Sequence, residues 1–164
     1  MDVNGDLITY TDNRTHDITE EQYATIREAI GILHSSFKRG TALTNSELVR
    51  EYLMLQNGDK RDEHFGCMFL DNQHRLISFE NMFAGTIDGA AVYPRVVVRR
   101  ALELNSAAVI FTHNHPSGVP EPSHADIAIT KRLKDALQVI DIRVLDHVIV
   151  GSEGTVSMAE RGLI

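Results

Sequence analysis

The 164-residue sequence is poor in cysteine, and it contains no long apolar run. Its one cysteine, Cys67, cannot form a disulfide within the chain and cannot by itself build a thiolate zinc site. No apolar run approaches the roughly 18–20 residues that a membrane-spanning helix needs. Residues 1–17 are polar and acidic and do not resemble a secretion signal. These absences exclude a disulfide scaffold and predict a cytoplasmic protein that does not contact a membrane.

Basic residues are also scarce. The chain has 16 Lys and Arg against 23 Asp and Glu, which gives a net charge of −7 with neutral histidine. Because a protein that coats nucleic acid needs a basic excess to neutralise phosphates, we expect that DNA is not bound directly. Hydrophobic residues make up 43% of the chain and charged residues 24%, which are ordinary values for a folded protein. The length predicts one domain.

Two helices are predicted in the first third of the chain, after an arm of residues 1–17 that contains little that could pack. The segment from Thr19 to Gly40 begins with a capping box and carries apolar residues at helical intervals. A second capping box begins at Thr44 and predicts a shorter helix that ends at Asn57.

From residue 64 the pattern changes to short, nearly continuous apolar runs, which are typical of buried strands. The predicted elements are strands at 65–70 and 75–82, a helix that begins at Pro94, a strand at 107–111, a helix at 123–139, and a hairpin of strands 143–150 and 155–157. We therefore expect an α/β (α+β) domain with a small central sheet.

The loop after the strand at 107–111 holds the residues that indicate chemistry. His113 and His115 are two apart in extended backbone, so both imidazoles can face one point. Asp126 lies in the first turn of the next helix, and a tight loop can return it to that point. Two imidazoles and a carboxylate are a good ligand set for a divalent metal. The same residues also fit a pair of surface histidines, followed by a helix that Ser123 caps and Asp126 stabilises.

The spacing His113-x-His115-x7-Ser123-x2-Asp126 resembles the JAMM motif of JAB/MPN domains. The strings HNHPSG at 113–118 and DHVIVG at 146–151 resemble the bacterial RadC-like branch of that superfamily. The resemblance covers residues 41–164 and leaves 1–40 as an N-terminal arm and helix. It implies a single JAB/MPN-like, cytidine-deaminase-like domain in which helices flank a small mixed sheet.

The resemblance further implies one Zn²⁺ per chain, held by His113, His115 and Asp126, with a water in the fourth position. In enzymes with this motif a glutamate upstream takes the proton of that water. Glu63 directly precedes the first predicted strand and matches its place, whereas Glu80 is the alternative.

Three further residues have roles in this interpretation. Ser123 would cap the helix and offer its hydroxyl to the oxyanion that develops during hydrolysis. His147 is interpreted as a hydrogen-bonded structural histidine, in a position that can support a metal ligand. Cys67 lies within a predicted buried strand and is expected in the core.

The leading functional hypothesis is a zinc-dependent hydrolase that cuts an amide or isopeptide bond in a peptide or isopeptide substrate. A second hypothesis is a scaffold module that binds metal without turnover. A third is an iron oxygenase, because two histidines and one carboxylate also hold non-haem iron. A role in DNA repair is the weakest hypothesis, since it rests on the name of the family alone.

Overall fold

The computed structural model describes residues 19–38, 45–57, 60, 62–85 and 92–164. Four helices and five strands occur within these ranges. In chain order they are α1 (Glu20–Lys38), α2 (Ser46–Asn57), β1 (His64–Leu70), β2 (Leu76–Ala84), α3 (Pro94–Glu103), β3 (Ala108–Asn114), α4 (His124–Gln138), β4 (Arg143–Gly151) and β5 (Gly154–Ser157). The predicted mixture of strands and helices is confirmed.

The strands form one mixed sheet in the order β2-β1-β3-β4-β5. β1 is antiparallel to both of its neighbours, while β3 and β4 are parallel and are connected through α4. The antiparallel register places Phe65 opposite His113. The beginning of β1 therefore lies beside the end of β3, at the same edge of the sheet where α4 begins.

Helices cover both faces of the sheet, and each face has its own apolar core. α1 and α2 pack on one face, where Tyr52 and Leu53 meet Met68 of β1. α3 and α4 pack on the other face, where Leu133 and Leu137 meet the remaining apolar side chains of β1 and β3. Successive β1 residues alternate between the two cores because strand side chains alternate in direction. The sheet is consequently buried on both sides.

The helix starts follow from local hydrogen bonds. The predicted box at Thr19 is confirmed, because Thr19 N–H donates to Gln22 Oε1 (2.8 Å) and Gln22 N–H donates to Thr19 Oγ1 (3.2 Å). At α2, Asn45 Oδ1 accepts hydrogen bonds from the main-chain N–H groups of Glu47 (2.9 Å) and Leu48 (3.3 Å). The partner predicted for this box, Thr44, lies outside the described residues.

Element bounds agree with the predicted ones or differ from them by up to three residues, and the largest extensions are in β2 and β3. β2 continues to Ala84 because its last residues still pair with His64 and Phe65 of β1. Cys67 is fully buried in the core, as expected. Among the described helices, none is both long and apolar enough to cross a membrane.

Truncation of Leu137 tests the core on the α4 face. Leu137 is fully buried, so Leu137→Ala is expected to lower the free energy of unfolding by about 3–5 kcal/mol. Val139, at the C-terminal cap of the same helix, is 82% exposed and provides the control Val139→Ala, which should change the stability little. Urea unfolding of both variants measures the difference. Equal losses in the two variants would contradict this packing.

Candidate metal centre

The end of β3 carries the first histidine of the site. His113 is fully buried and pairs with Phe65 of β1 on one side and Ile149 of β4 on the other. One residue beyond the strand, His115 N–H still donates to the main-chain oxygen of Val150 (2.8 Å). The extended backbone thus continues through both histidines. Their side chains point to the same side, and the two Nε2 atoms lie 2.8 Å apart.

A tight loop fixes the ring of His115. Its Nδ1–H donates to the carbonyl oxygen of Val119 (2.9 Å), so in the neutral ring Nε2 carries the lone pair. Gly118 N–H bonds to the carbonyl of His115 (2.9 Å), and Gly118 has a positive φ of 88°. A Cβ on Gly151 would lie 2.1 Å from the carbonyl oxygen of Gly118. Both glycines are therefore required for the loop to pack this closely.

The first turn of α4 supplies the carboxylate. Ser123 and Asp126 form a full capping box, with Ser123 N–H donating to Asp126 Oδ2 (2.7 Å) and Asp126 N–H donating to Ser123 Oγ (3.2 Å). The same carboxylate faces the histidines: Oδ1 lies 3.3 Å from His113 Nε2, and Oδ2 lies 3.5 Å from His115 Nε2. Asp126 therefore completes the helix cap and faces the two histidines at the same time, whereas the alternative of two surface histidines is wrong for the fully buried His113.

Of the two glutamates considered from the sequence, the structure brings only Glu63 to this cluster. Glu63 Oε1 lies 4.0 Å from His113 Nε2, and its side chain is 14% exposed. One ligand atom from each of Glu63, His113, His115 and Asp126 lies within 4.8 Å of the other three. Glu80 forms an ion pair with Arg100 (2.7 Å), whose hydrogen bonds lower the pKa of the Glu80 carboxyl.

Asn114, between the two histidines, holds the segment that carries Glu63. Its Oδ1 accepts from His64 N–H (2.8 Å), and its Nδ2 donates to the carbonyls of Asp62 (3.0 Å) and Lys60 (3.2 Å). These bonds fix the backbone on both sides of Glu63. This role could not be predicted from the sequence, in which the only signal is an asparagine placed between two candidate ligands.

His147 on β4 lies behind the site and is fully buried. Its Nε2 is 2.8 Å from His113 Nδ1, and its Nδ1 is 2.6 Å from Thr130 Oγ1 on α4. Burial lowers the pKa of His147 well below its ordinary value, so the ring is neutral. The predicted hydrogen-bonded histidine is confirmed, whereas Thr130 was not singled out from the sequence.

The electrostatics of the cluster favour positive charge. A hydrogen bond with the Asp126 carboxylate raises the pKa of His115 above its ordinary value. Burial alone would raise the pKa of Asp126. The hydrogen bonds of His113 and His115, together with the charge of His113, have the larger combined effect and hold the pKa well below its usual range. Among the described residues, Asp126 Oδ1 is one of three buried side-chain polar atoms without a hydrogen-bond partner. An unpaired anionic oxygen beside two imidazole nitrogens fits the donor set of a divalent metal.

Comparison with known proteins shows the family to which the chain is similar. The family model for the RadC-like JAB domain matches residues 43–163. The chain is 51% identical over 163 residues to a UPF0758 protein of Thioalkalivibrio sulfidiphilus, and this match covers 97% of the chain and 72% of that protein. It is 54% identical over 141 residues to a UPF0758 protein of Vibrio cholerae, with 86% and 89% covered.

A third relative is longer than the match. The chain is 58% identical over 130 residues to a UPF0758 protein of Cellvibrio japonicus, and this match covers 79% of the chain but only 58% of that protein. The chain thus spans less than two thirds of some of the relatives that it matches. The names of these three relatives state no activity.

Neutralising the carboxylate tests the metal site. Asp126→Asn keeps an oxygen that can accept the Ser123 N–H bond of the capping box but removes the negative charge. We expect it to weaken Zn²⁺ binding by more than the roughly 100-fold that loss of an outer contact can cost. Asp135→Asn, on the exposed side of the same helix, is the control. Titration against a chromogenic chelator measures both. Wild-type affinity in Asp126→Asn would contradict the assignment.

Proposed function

The chain belongs to the family of RadC-like JAB domains, and we propose that it is a zinc-dependent hydrolase of amide or isopeptide bonds. The observation that carries the proposal is the position of a second carboxylate, Glu63, beside His113, His115 and Asp126. We assign the two histidines and Asp126 to the metal, and we assign Glu63 to the transfer of a proton. The proposed substrate is a peptide or an isopeptide-linked protein.

In this proposal, one Zn²⁺ is held by His113 Nε2, His115 Nε2 and the carboxylate of Asp126. When bound, such an ion lowers the pKa of a coordinated water toward about 7 and polarises a scissile carbonyl. Iron has the same ligand preference in some oxygenases, whose co-substrate pocket lies in a β-barrel. Here the two histidines lie at the end of β3, the central strand of an open five-stranded sheet with helices on both faces. This arrangement favours the hydrolase.

Glu63 is the proposed general base and acid. Its carboxylate takes a proton from the attacking water and returns it to the nitrogen of the leaving group, so that an amine departs. The side chain is only 14% exposed, and Asn114 anchors the main chain on either side of it. A carboxylate held in this position lies close to the three proposed ligands, where the reacting water and carbonyl would be.

Ser123 is proposed to stabilise the oxyanion. Its bond to Asp126 N–H uses a lone pair of the hydroxyl oxygen, so the O–H can still donate. Ser123 is exposed at the start of α4, where a substrate can reach it. A preorganised donor at this point stabilises the negative charge that develops on the carbonyl oxygen.

Replacement of Glu63 by glutamine separates metal binding from turnover. We expect Glu63→Gln to retain bound zinc and to lose about 10²–10⁴-fold in hydrolysis of linear or lysine isopeptide-linked peptides, because the amide cannot accept the proton. Asp62→Asn changes a neighbouring exposed charge and is the matched control. If the wild-type protein binds zinc and neither it nor the variant cuts any member of such a library, the domain is a metal-binding scaffold.

The role of Ser123 has its own test. Ser123→Ala removes the donor and is expected to lower kcat by about 10²-fold while zinc content is unchanged. It also removes a helix cap, which costs about 1 kcal/mol of stability. Ser123→Thr keeps both functions and should retain most of the activity. The kcat, zinc content and thermal midpoint of both variants separate the loss of the oxyanion donor from the loss of stability. Equal kcat in the two variants would refute the oxyanion role of Ser123.

A further inference from the structure

A line of side chains runs from the site into the core. His113 Nδ1 is 2.8 Å from His147 Nε2, and His147 Nδ1 is 2.6 Å from Thr130 Oγ1. Thr130 Oγ1 lies 2.5 Å from the carbonyl oxygen of Asp126 and 3.7 Å from the sulfur of Met158. His113, Thr130 and His147 are all fully buried. The line, which we call the relay, therefore begins at one proposed metal ligand, His113, and returns to the main chain of another, Asp126.

The hydrogen positions follow from the Thr130 end. A carbonyl oxygen cannot donate, so the single hydroxyl hydrogen of Thr130 lies in the short contact to Asp126 O. The hydroxyl then accepts from His147, which places a hydrogen on His147 Nδ1. Neither ring nitrogen of His147 meets a carboxylate among the described residues. A charged ring would be buried there without a counter-charge, so His147 is neutral and its Nε2 is an acceptor.

The position of the hydrogen on His147 determines which nitrogen of His113 carries a hydrogen. An acceptor at His147 Nε2 requires a hydrogen on His113 Nδ1, so Nε2, which lies toward Asp126 Oδ1, is the nitrogen with the lone pair when the ring is neutral. The two histidines of the site are thus oriented by different devices. His115 donates to a main-chain carbonyl, and the direction of that hydrogen bond is fixed because a carbonyl oxygen can only accept. His113 donates to His147, and which nitrogen of His147 can accept depends on its hydrogen bond with Thr130.

The ring of His147 is also held in place. Phe65 and Phe111 meet it edge-on, with ring centroids 5.5 and 5.9 Å away. The carboxylate of Asp146 accepts from His147 N–H (2.7 Å) and from the Ser157 hydroxyl (2.6 Å), which fixes the main chain. Rotation of the imidazole would displace both phenyl rings, so its two nitrogens keep their partners.

We propose that His147 and Thr130 are positioning residues that hold His113 in the Nδ1-protonated form and thereby direct its Nε2 lone pair at the metal. The proposal rests on the metal site proposed above, but not on hydrolysis. Removal of the Thr130 hydroxyl frees His147 to carry its hydrogen on Nε2 instead. His113 would then be protonated on Nε2, where it competes with the ion.

The first experiment needs neither metal nor substrate. Long-range ¹H–¹⁵N spectra of the metal-free protein, labelled with ¹⁵N-histidine, report which ring nitrogen carries hydrogen. We expect His113 to be protonated on Nδ1 in the wild type and in Thr130→Ser. In Thr130→Val the hydrogen is expected to move to Nε2. A wild-type His113 whose Nδ1 carries no hydrogen would overturn the proposal.

The second experiment measures Zn²⁺ affinity by competition and the visible spectrum of the Co²⁺ form. Thr130→Val should bind Zn²⁺ about 10–100-fold more weakly, although Thr130 contacts no ligand side chain, and Thr130→Ser should stay within a few-fold of wild type. His147→Leu should weaken binding similarly, while His147→Gln, which can still accept, should restore much of it. Wild-type affinity and an unchanged Co²⁺ spectrum in Thr130→Val would refute the relay.

The outcomes also separate the two proposals. If the wild type binds zinc and cuts no peptide, the hydrolase proposal fails and the relay is still decided by affinity. If the wild type binds no zinc, the metal site fails and the ring spectra alone decide the relay. A loss in His147→Gln as large as in His147→Leu would show that packing, not hydrogen bonding, matters, and it would count against the relay.

Discussion

The site depends on the convergence of electron-pair donors in a buried space at the end of β3. His115 Nδ1 donates to a carbonyl, so Nε2 carries the lone pair whenever the ring is neutral. His115 Nε2 lies 2.8 Å from His113 Nε2, and Asp126 Oδ1 is buried beside them without a hydrogen-bond partner. Such a set is unfavourable unless a positive charge lies among its members, since desolvated like-signed groups repel. The lowered pKa of Asp126 and the raised pKa of His115 have the same cause, since a negative carboxylate and a positive imidazole stabilise each other.

Much of this arrangement can be predicted from the sequence, because it depends on the spacing of residues that are close together in the chain. His113 and His115 share a side of extended backbone, and Asp126 follows Ser123 at the spacing of a capping box. Local spacing alone left two interpretations, a metal ligand or a helix cap. The structure shows that they are compatible, because a carboxylate has two oxygens. Oδ2 accepts the cap bond, while Oδ1 remains directed at the histidines.

The rest could not be predicted because it depends on contacts between distant segments. The choice between Glu63 and Glu80 is made by strand pairing: Glu63 precedes β1 beside the end of β3, whereas Glu80 lies opposite Cys67, where it meets Arg100. Asn114 acts on a segment about fifty residues away, and no periodicity reports such a bond. The pairing of His147 with His113 likewise requires β3 and β4 to be neighbours, which composition and period do not determine. The fold class, by contrast, follows from alternation and length of apolar runs, which are local properties.

The three segments of the site are each anchored by bonds that need no metal. Asn114 holds the chain around Glu63, the carbonyl of Val119 holds His115, and Ser123 holds Asp126. Little side-chain order therefore remains to be gained when an ion binds, so the entropic cost of binding is small. The same anchoring prevents the donors from moving apart in the metal-free protein, which consequently bears their mutual repulsion. An ion bound among these donors would relieve that repulsion in the folded state alone, because the unfolded chain does not bring the donors together, and it would accordingly stabilise the fold.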